Sequence, residues 1–391
     1  MHPGNEAELE AMLSEPTPAV LDALRACEGD VVVLGAGGKM GPSLSHMVRR
    51  AADSLDGARR VIAVSRFSSP AAASQLAQWG VEVLRADLGS PEAIRSLPEA
   101  PNVIYMAGQK FGTTDAPERT WFANTAVPAW VADHYRTARI VAFSTGNVYA
   151  LTPSTTSGSR ESDALAPVGE YAASCVGRER VFEYAASTWG TRVAIMRLNY
   201  AVDLRYGVLV DIATRVRRGQ PIDVRMGWVN CIWQGDANAI AVASLSLAST
   251  PATVLNVTGP EHLAVRALAT EFARRFGTSA LIEGTEAGDA LLSDTTRMQS
   301  LFGAPRVTAD RLIDMVASWI EHDGATLNRV SVEKQRSALW LKLYEKRQSV
   351  QLFGIAFFIC RIGSAGKCRN LAKAVRWRSC TNRSNSRIGN S

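Results

Sequence analysis

Val31-Val32-Val33-Leu34-Gly35-Ala36-Gly37-Gly38-Lys39-Met40-Gly41 is the stretch that decides the fold. Its first four residues are apolar and mostly β-branched, and the run stops at glycine, as a strand buried on both faces does. Leu44, Met47 and Val48 then resume with a helical period. In a strand–turn–helix unit of this kind, Gly35 permits the tight turn. Gly37 and Gly38 let the backbone approach a pyrophosphate around Lys39 and Met40, and Gly41 lets helix and strand pack closely. The helix N-terminus offers unpaired N–H groups and partial positive charge to phosphate. A purely structural glycine turn is the competing reading; the strand before and the helix after favour a nucleotide.

Outward from that turn, short apolar runs at 61–64, 81–84, 103–106, 140–143 and 193–196 read as further buried strands. Helical stretches such as 71–79 and 128–135 separate them. This alternation predicts an α/β fold, a Rossmann-type doubly wound parallel sheet over residues 30–200. Residues 1–29 read as a helical extension, with Thr17-Pro18 as an N-cap signal and Val20, Leu21 and Leu24 on one face. Past residue 200 the rhythm weakens. Helices at 211–218, 236–247, 265–276 and 311–320 and a strand at 254–257 predict a smaller, mainly substrate-binding lobe over 201–328, with later segments free to rejoin the sheet.

The charge is uneven along the 391 residues. Of 43 Lys+Arg and 37 Asp+Glu, 14 basic and only 2 acidic residues lie at 329–391. The body is therefore mildly acidic, and a nucleic-acid partner is not read from the whole-chain charge. We read 329–391 as a basic tail outside the fold: solvated, an aberrant extension, or a polyanion-binding segment. The six cysteines and five histidines show no metal-ligand spacing, so no metal is expected. No secretion signal is read. The longest apolar run of the tail, 352–359, is far below the ~20 residues that span a bilayer, and a cytoplasmic setting is expected.

At the end of the second strand, where a carboxylate would bind a ribose 2′-hydroxyl, the chain has Ser65-Arg66. A hydroxyl and a guanidinium suit a 2′-phosphate, so NADP is expected over NAD. The competing reading leaves Arg66 as a solvated surface charge.

Other segments complete a pattern. Asp87-Leu88, Ala107-Gly108 and Asn124 follow the turn in order, then Ser144-Thr145-Gly146-Asn147-Val148-Tyr149, Tyr171, Arg197-Leu198-Asn199, Asn256-Val257-Thr258-Gly259 and Leu301-Phe302-Gly303. In this order and spacing the chain resembles the extended short-chain dehydrogenase/reductases, the NAD(P)-dependent epimerase/dehydratase group, over about residues 30–322. The resemblance implies that Asp87 and Leu88 lie beside the adenine, and Ala107, Gly108 and Asn124 around the cofactor. Thr145 would bind the reacting oxygen and Tyr171 move its proton, while Asn199, Tyr200 and Arg205 would contact substrate. It implies an oxidoreductase or epimerase acting on a hydroxyl of a sugar or sugar-nucleotide, and a homodimer is expected.

One position departs. Cys175 stands where the group's Tyr-x-x-x-Lys has lysine. An ammonium there would favour the phenolate of a tyrosine whose ordinary pKa is ~10; a thiol does not. Arg178, on the same helix stripe as Tyr171 and Cys175, is a candidate substitute cation, as are Lys110 and Arg160. The competing reading makes Arg178 and Arg180 solvated charges paired with Glu179 or Glu183. Cys175 is read as a small packing residue before a nucleophile. The alternative function is a cofactor-binding or sensing protein that kept the fold and lost catalysis.

Overall fold

The computed structural model describes residues 2–110 and 116–327. The basic segment 329–391 lies outside the described residues. Seven strands form one parallel sheet: β1 Val31–Leu34, β2 Val61–Ser65, β3 Glu82–Arg85, β4 Asn102–Tyr105, β5 Arg139–Thr145, β6 Arg192–Leu198 and β7 Thr253–Val257. Their order across the sheet is β7-β6-β5-β4-β1-β2-β3. The order reverses between β1 and β4, and that crevice is where open α/β sheets hold ligands.

The helices are α1 Glu6–Leu13, α2 Pro18–Ala26, α3 Gly41–Asp53, α4 Pro70–Gln78, α5 Pro91–Arg95, α6 Pro117–Trp121, α7 Val127–His134 and α8 Gly169–Trp189. They continue as α9 Val208–Arg217, α10 Gln234–Ala243, α11 Val265–Arg275, α12 Thr296–Phe302 and α13 Ala309–Glu321. Thr17 caps α2 as its sequence predicts, its hydroxyl accepting from the Val20 N–H at 3.3 Å with Pro18 in the first turn. Because side chains alternate along a strand, Val31 and Val33 face α2, α3, α4 and α10, whereas Val32 and Leu34 face α5, α7 and α8. A second core joins α1, α9, α11 and α13 into the smaller lobe.

Two elements past residue 200 rejoin the sheet layer, as the expectation left open for later segments. Thr253–Val257 pairs in parallel with β6 and extends the main sheet. Helix α10 buries Ala237, Ala239 and Ile240 against the sheet layer rather than within the lobe. Thr253–Val257 is placed by its pairing with Ala194–Leu198, and α10 by packing on the distant α2 and α3, partners that local periodicity does not encode. Between α6 and α7 the chain makes a π turn, Phe122–Ala126, that no spacing announced. Among the described residues no helix is long and apolar enough to cross a membrane, and no group of His, Cys, Asp and Glu could hold a metal.

Candidate active site

The glycine turn is built by contacts that exclude side chains. Gly35 has φ +88°, and a Cβ there would lie 2.7 Å from the Ala107 backbone N. A Cβ at Gly41 would lie 2.3 Å from the Ala36 carbonyl oxygen, so α3 starts against the strand it follows. At Gly37 a Cβ would meet the Ser65 Oγ at 2.6 Å. Gly38 closes the turn by donating its N–H to the Gly35 carbonyl at 3.0 Å. Met40 precedes the first turn of α3, and the Lys39 ammonium lies 4.2 Å from the centre of the Tyr206 ring. This cradle, with bare backbone at the N-terminus of a 13-residue helix, fits a dinucleotide pyrophosphate. Further along the same edge, Arg66 is exposed at the end of β2. Asp87 accepts from the Gly89 N–H at 3.0 Å, and Leu88 is buried.

The proton-transfer candidates meet where β5 ends beside α8. Thr145 is the last residue of β5, and its hydroxyl accepts the Asn147 N–H at 3.2 Å. The Tyr171 hydroxyl is within hydrogen-bonding reach of both the Thr145 hydroxyl and the Cys175 thiol. Burial raises the Tyr171 pKa above its ordinary value. Cys175 raises it further, while Arg178 and the Thr145 hydrogen bond oppose the rise. Burial also pushes the Cys175 thiol up, and the residue is wholly enclosed against Val148 and Tyr149. Enclosure and a raised pKa both disfavour the thiolate that a nucleophile needs.

Arg178 is not a solvated charge, and this corrects that reading. It is 6% exposed; its Nη1 donates to the Phe143 carbonyl at 2.9 Å and its Nη2 to Asn124 Oδ1 at 2.5 Å. A Cβ at Gly108 would lie 2.2 Å from that Nη2, which explains the glycine after Ala107. Asn124, inside the π turn, also accepts the Gln109 N–H and donates to Ser174 and the Gln109 carbonyl. Arg180 does pair with Glu183, at 2.6 Å on the surface. Of the other candidate cations, the Lys110 ammonium lies 5.8 Å from the Tyr171 ring centre, whereas Arg160 faces Asp294 at 3.6 Å.

The substrate candidates separate. Asn199 packs against Gly146, directly after Thr145, and its amide donates to Asn230 Oδ1 at 3.0 Å. Tyr200 holds φ +48°, uncommon for a bulky residue. Arg205 is placed elsewhere than the substrate expectation put it. Its guanidinium closes on Asp203 and Glu10, each at 2.7 Å, and ties α1 to the lobe.

A set of contacts that supports the site escaped the sequence reading, although most of its residues lie in the quoted segments. Glu179 pairs with Arg197 at 2.7 Å, both almost fully buried, and accepts the Ser144 hydroxyl at 2.5 Å. Arg197 also donates to the Tyr149 hydroxyl at 2.6 Å, which in turn donates to Asn256 Oδ1 at 2.8 Å. Burial works against the Arg197 charge, but the Glu179 contacts more than offset it and its pKa rises. Burial likewise pushes Tyr149 up to about 12. The network fixes β5, α8, β6 and β7 around Thr145. Its signal was faint, because Glu179 and Arg197 are eighteen positions apart on different elements.

The segment that holds the glycine cradle, Thr145 and Tyr171 is similar in sequence to a known family. Residues 31–206 match the model of the NAD dependent epimerase/dehydratase family. No curated protein matches the chain in sequence. Among solved structures, UDP-glucose 4-epimerase from Thermotoga maritima with UDP-glucose superposes with a TM-score of 0.62 at 16% identity, over 75% of this chain and 99% of that one. The Thermus thermophilus UDP-glucose 4-epimerase complex with NAD gives 0.61 at 19% identity, over 76% and 100%. MoeE5 in complex with UDP-glucose and NAD gives 0.60 at 18%, over 75% and 99%. At these identities the likeness establishes the fold.

Proposed function

We propose that this protein is an NAD(P)-dependent oxidoreductase or epimerase acting on a hydroxyl of a sugar or sugar-nucleotide. The observation that carries the reading is the Tyr171 hydroxyl held beside Thr145 at the end of β5, next to the glycine cradle. The sugar-nucleotides bound by the structural neighbours support the substrate class. A bound nicotinamide would supply the hydride-exchanging carbon. Gly35, Gly37, Gly38, Lys39, Met40 and Gly41 would hold its pyrophosphate, and Ala107, Gly108 and Asn124 would border its further half. Thr145 would hold the reacting oxygen, and the Tyr171 oxygen would take or return the hydroxyl proton. Arg178 would act through Asn124 and the Phe143 carbonyl, positioning the wall of the site, in place of the cation missing at Cys175. Ser65-Arg66 supports NADP over NAD. The expected homodimer is supported by exposed aromatic residues on neighbouring helices, Trp121 on α6 and Tyr184 on α8.

A second reading is favoured by the thiol itself: with no ammonium at position 175, the chain binds cofactor and ligand without turnover. Incubation with NAD+ or NADP+ and a panel of sugars and sugar-nucleotides separates the two, read by nicotinamide reduction and by epimer formation. Turnover that Tyr171→Phe abolishes, with cofactor affinity kept within a few-fold, supports the enzyme. Tight binding with no conversion across the panel overturns it in favour of the binding module.

A further inference from the structure

We propose that Arg85 is a second determinant of cofactor choice, forming with Arg66 and the Ser65 hydroxyl a cradle for a phosphate on the adenosine 2′-oxygen. The inference rests on the NADP reading above and adds to it a residue that neither the glycine motif nor the end of β2 indicates.

Strand register brings Arg85 to the place. On the adjacent parallel strands β2 and β3, Ser65 pairs with Arg85, the last residue of each strand. Paired residues of a parallel ladder send their side chains from the same face of the sheet. On that face the Ser65 hydroxyl meets the glycine turn: a Cβ at Gly37 would lie 2.6 Å from Ser65 Oγ and 3.4 Å from the Phe67 ring. Arg85 therefore emerges beside the group that faces the nucleotide cradle.

The segment after β2 is shaped around that guanidinium. Phe67 holds φ +47°, a conformation that costs a bulky residue of order 1 kcal/mol and persists where surroundings impose it. Its ring is buried, and Arg85 lies over it with the guanidinium carbon 6.0 Å from the ring centre. Arg85 Nη1 donates to the Phe67 carbonyl at 3.0 Å and reaches the Arg66 carbonyl at 3.5 Å. Both contacts use one nitrogen. Among the described residues, Nε and Nη2 have no protein acceptor.

The charges point the same way. Arg66 and Arg85 are both exposed, and among the described residues neither has a carboxylate partner. The carboxylates of that edge turn elsewhere: Asp87 accepts from the Gly89 N–H, and Glu82 faces Arg60 at 3.8 Å. Two exposed arginines where β2 and β3 end, with no carboxylate partner among the described residues, suit a phosphate, which accepts paired N–H groups along its edges. A ribose 2′-hydroxyl would instead call for a carboxylate.

The test is a binding measurement on the full chain, with 2′-AMP, 5′-AMP, NADP and NAD titrated by calorimetry. For Arg85→Ala we expect about a tenfold loss of affinity for 2′-AMP and NADP, with NAD within about twofold and the melting temperature kept. Arg85→Lys should recover most of the loss, and combining Arg85→Ala with Arg66→Ala should erase the preference for 2′-phosphate. Equal weakening of NAD and NADP in Arg85→Ala would reduce Arg85 to a clamp on the Phe67 turn and overturn the inference. So would NADP preference that Arg66→Ala removes and Arg85→Ala leaves intact, although the NADP reading would then stand. A wild-type chain that binds 2′-AMP no better than 5′-AMP overturns both.

Discussion

At the scale of single residues, the proposed chemistry turns on the proton of Tyr171. A free phenol with pKa ~10 is ionised to about one part in a thousand at pH 7, and in this site burial and the neighbouring thiol raise its pKa further. Arg178 opposes that shift, but its guanidinium is engaged by the Phe143 carbonyl and Asn124. Below its pKa Tyr171 can donate a proton to a forming alkoxide; only above it can it accept one. Oxidation of a substrate hydroxyl should therefore rise with pH through the alkaline range without a plateau below about pH 10, whereas reduction of the ketone stays flat there. Cys175→Lys places an ammonium beside the phenol and should raise oxidation at pH 7 by about tenfold per pKa unit recovered, at some cost in melting temperature because the added cation is buried near Arg178. Steady-state pH profiles of both variants in both directions check this. A wild-type plateau near neutrality would mean that another group supplies the missing charge. Thr145, Tyr171 and Cys175 were legible in the sequence through the family resemblance, whose motif order and spacing they follow. The burial of Arg178 was not, because the same spacing also describes a solvated helix face.

At the scale of elements, α8 joins the site to the sheet through Glu179. Its carboxylate holds Arg197 of β6 and Ser144 of β5, one residue before Thr145. Removing one partner of a buried pair leaves an uncompensated charge, so Arg197→Met should destabilise the fold by about 3–5 kcal/mol. The double change Glu179→Leu with Arg197→Met should recover most of that loss, since apolar replacement of a whole buried pair is often near neutral. Urea unfolding of the three variants measures the coupling, and additive losses would show that the two residues act separately. The strands themselves were readable, since a parallel strand covered on both faces is a continuous apolar run, as 31–34 and 61–64 are. Where Thr253–Val257 belongs was not readable, because its own residues carry no mark of which edge it joins. The π turn around Asn124 had no signal either: it is defined by an i→i+5 hydrogen bond that Phe-Ala-Asn-Thr-Ala does not announce.

For the whole molecule, the N-terminal extension connects the two cores. Leu9 and Leu13 of α1 belong to the lobe core, while Val20 and Leu24 of α2 belong to the sheet layer with α3 and α10. Polar contacts repeat the bridge. Arg205 of the lobe pairs with Glu10, Asn238 of α10 donates to the Leu13 carbonyl at 3.3 Å, and Arg50 of α3 donates to the Ala11 carbonyl at 2.7 Å. The sequence announced helices here but not that they straddle the lobes, since α1 is only eight residues long and its two leucines name no partner. The far end of the described chain is different. Helix α13 buries Leu312, Val316 and Ile320 in the lobe core, the Trp319 indole donates to the Ala325 carbonyl at 3.0 Å, and the Leu327 N–H donates to the Arg205 carbonyl at 2.9 Å. The lobe core is thus closed by residues up to 327. The two ends should consequently respond in opposite ways to removal. Deleting residues 1–15 takes two fully buried leucines out of the core, at roughly 1.5–3 kcal/mol each, and leaves Asp203 alone against Arg205. A melting temperature lower by roughly 10 °C is expected. A chain ending at residue 327 should keep its melting temperature and its affinity for NADP. Thermal denaturation with and without NADP, on both truncations beside the full chain, decides the matter: unfolding of the shorter chain would place residues beyond 327 within the fold, and an unchanged melting temperature without residues 1–15 would show that the bridge does not hold the two cores together.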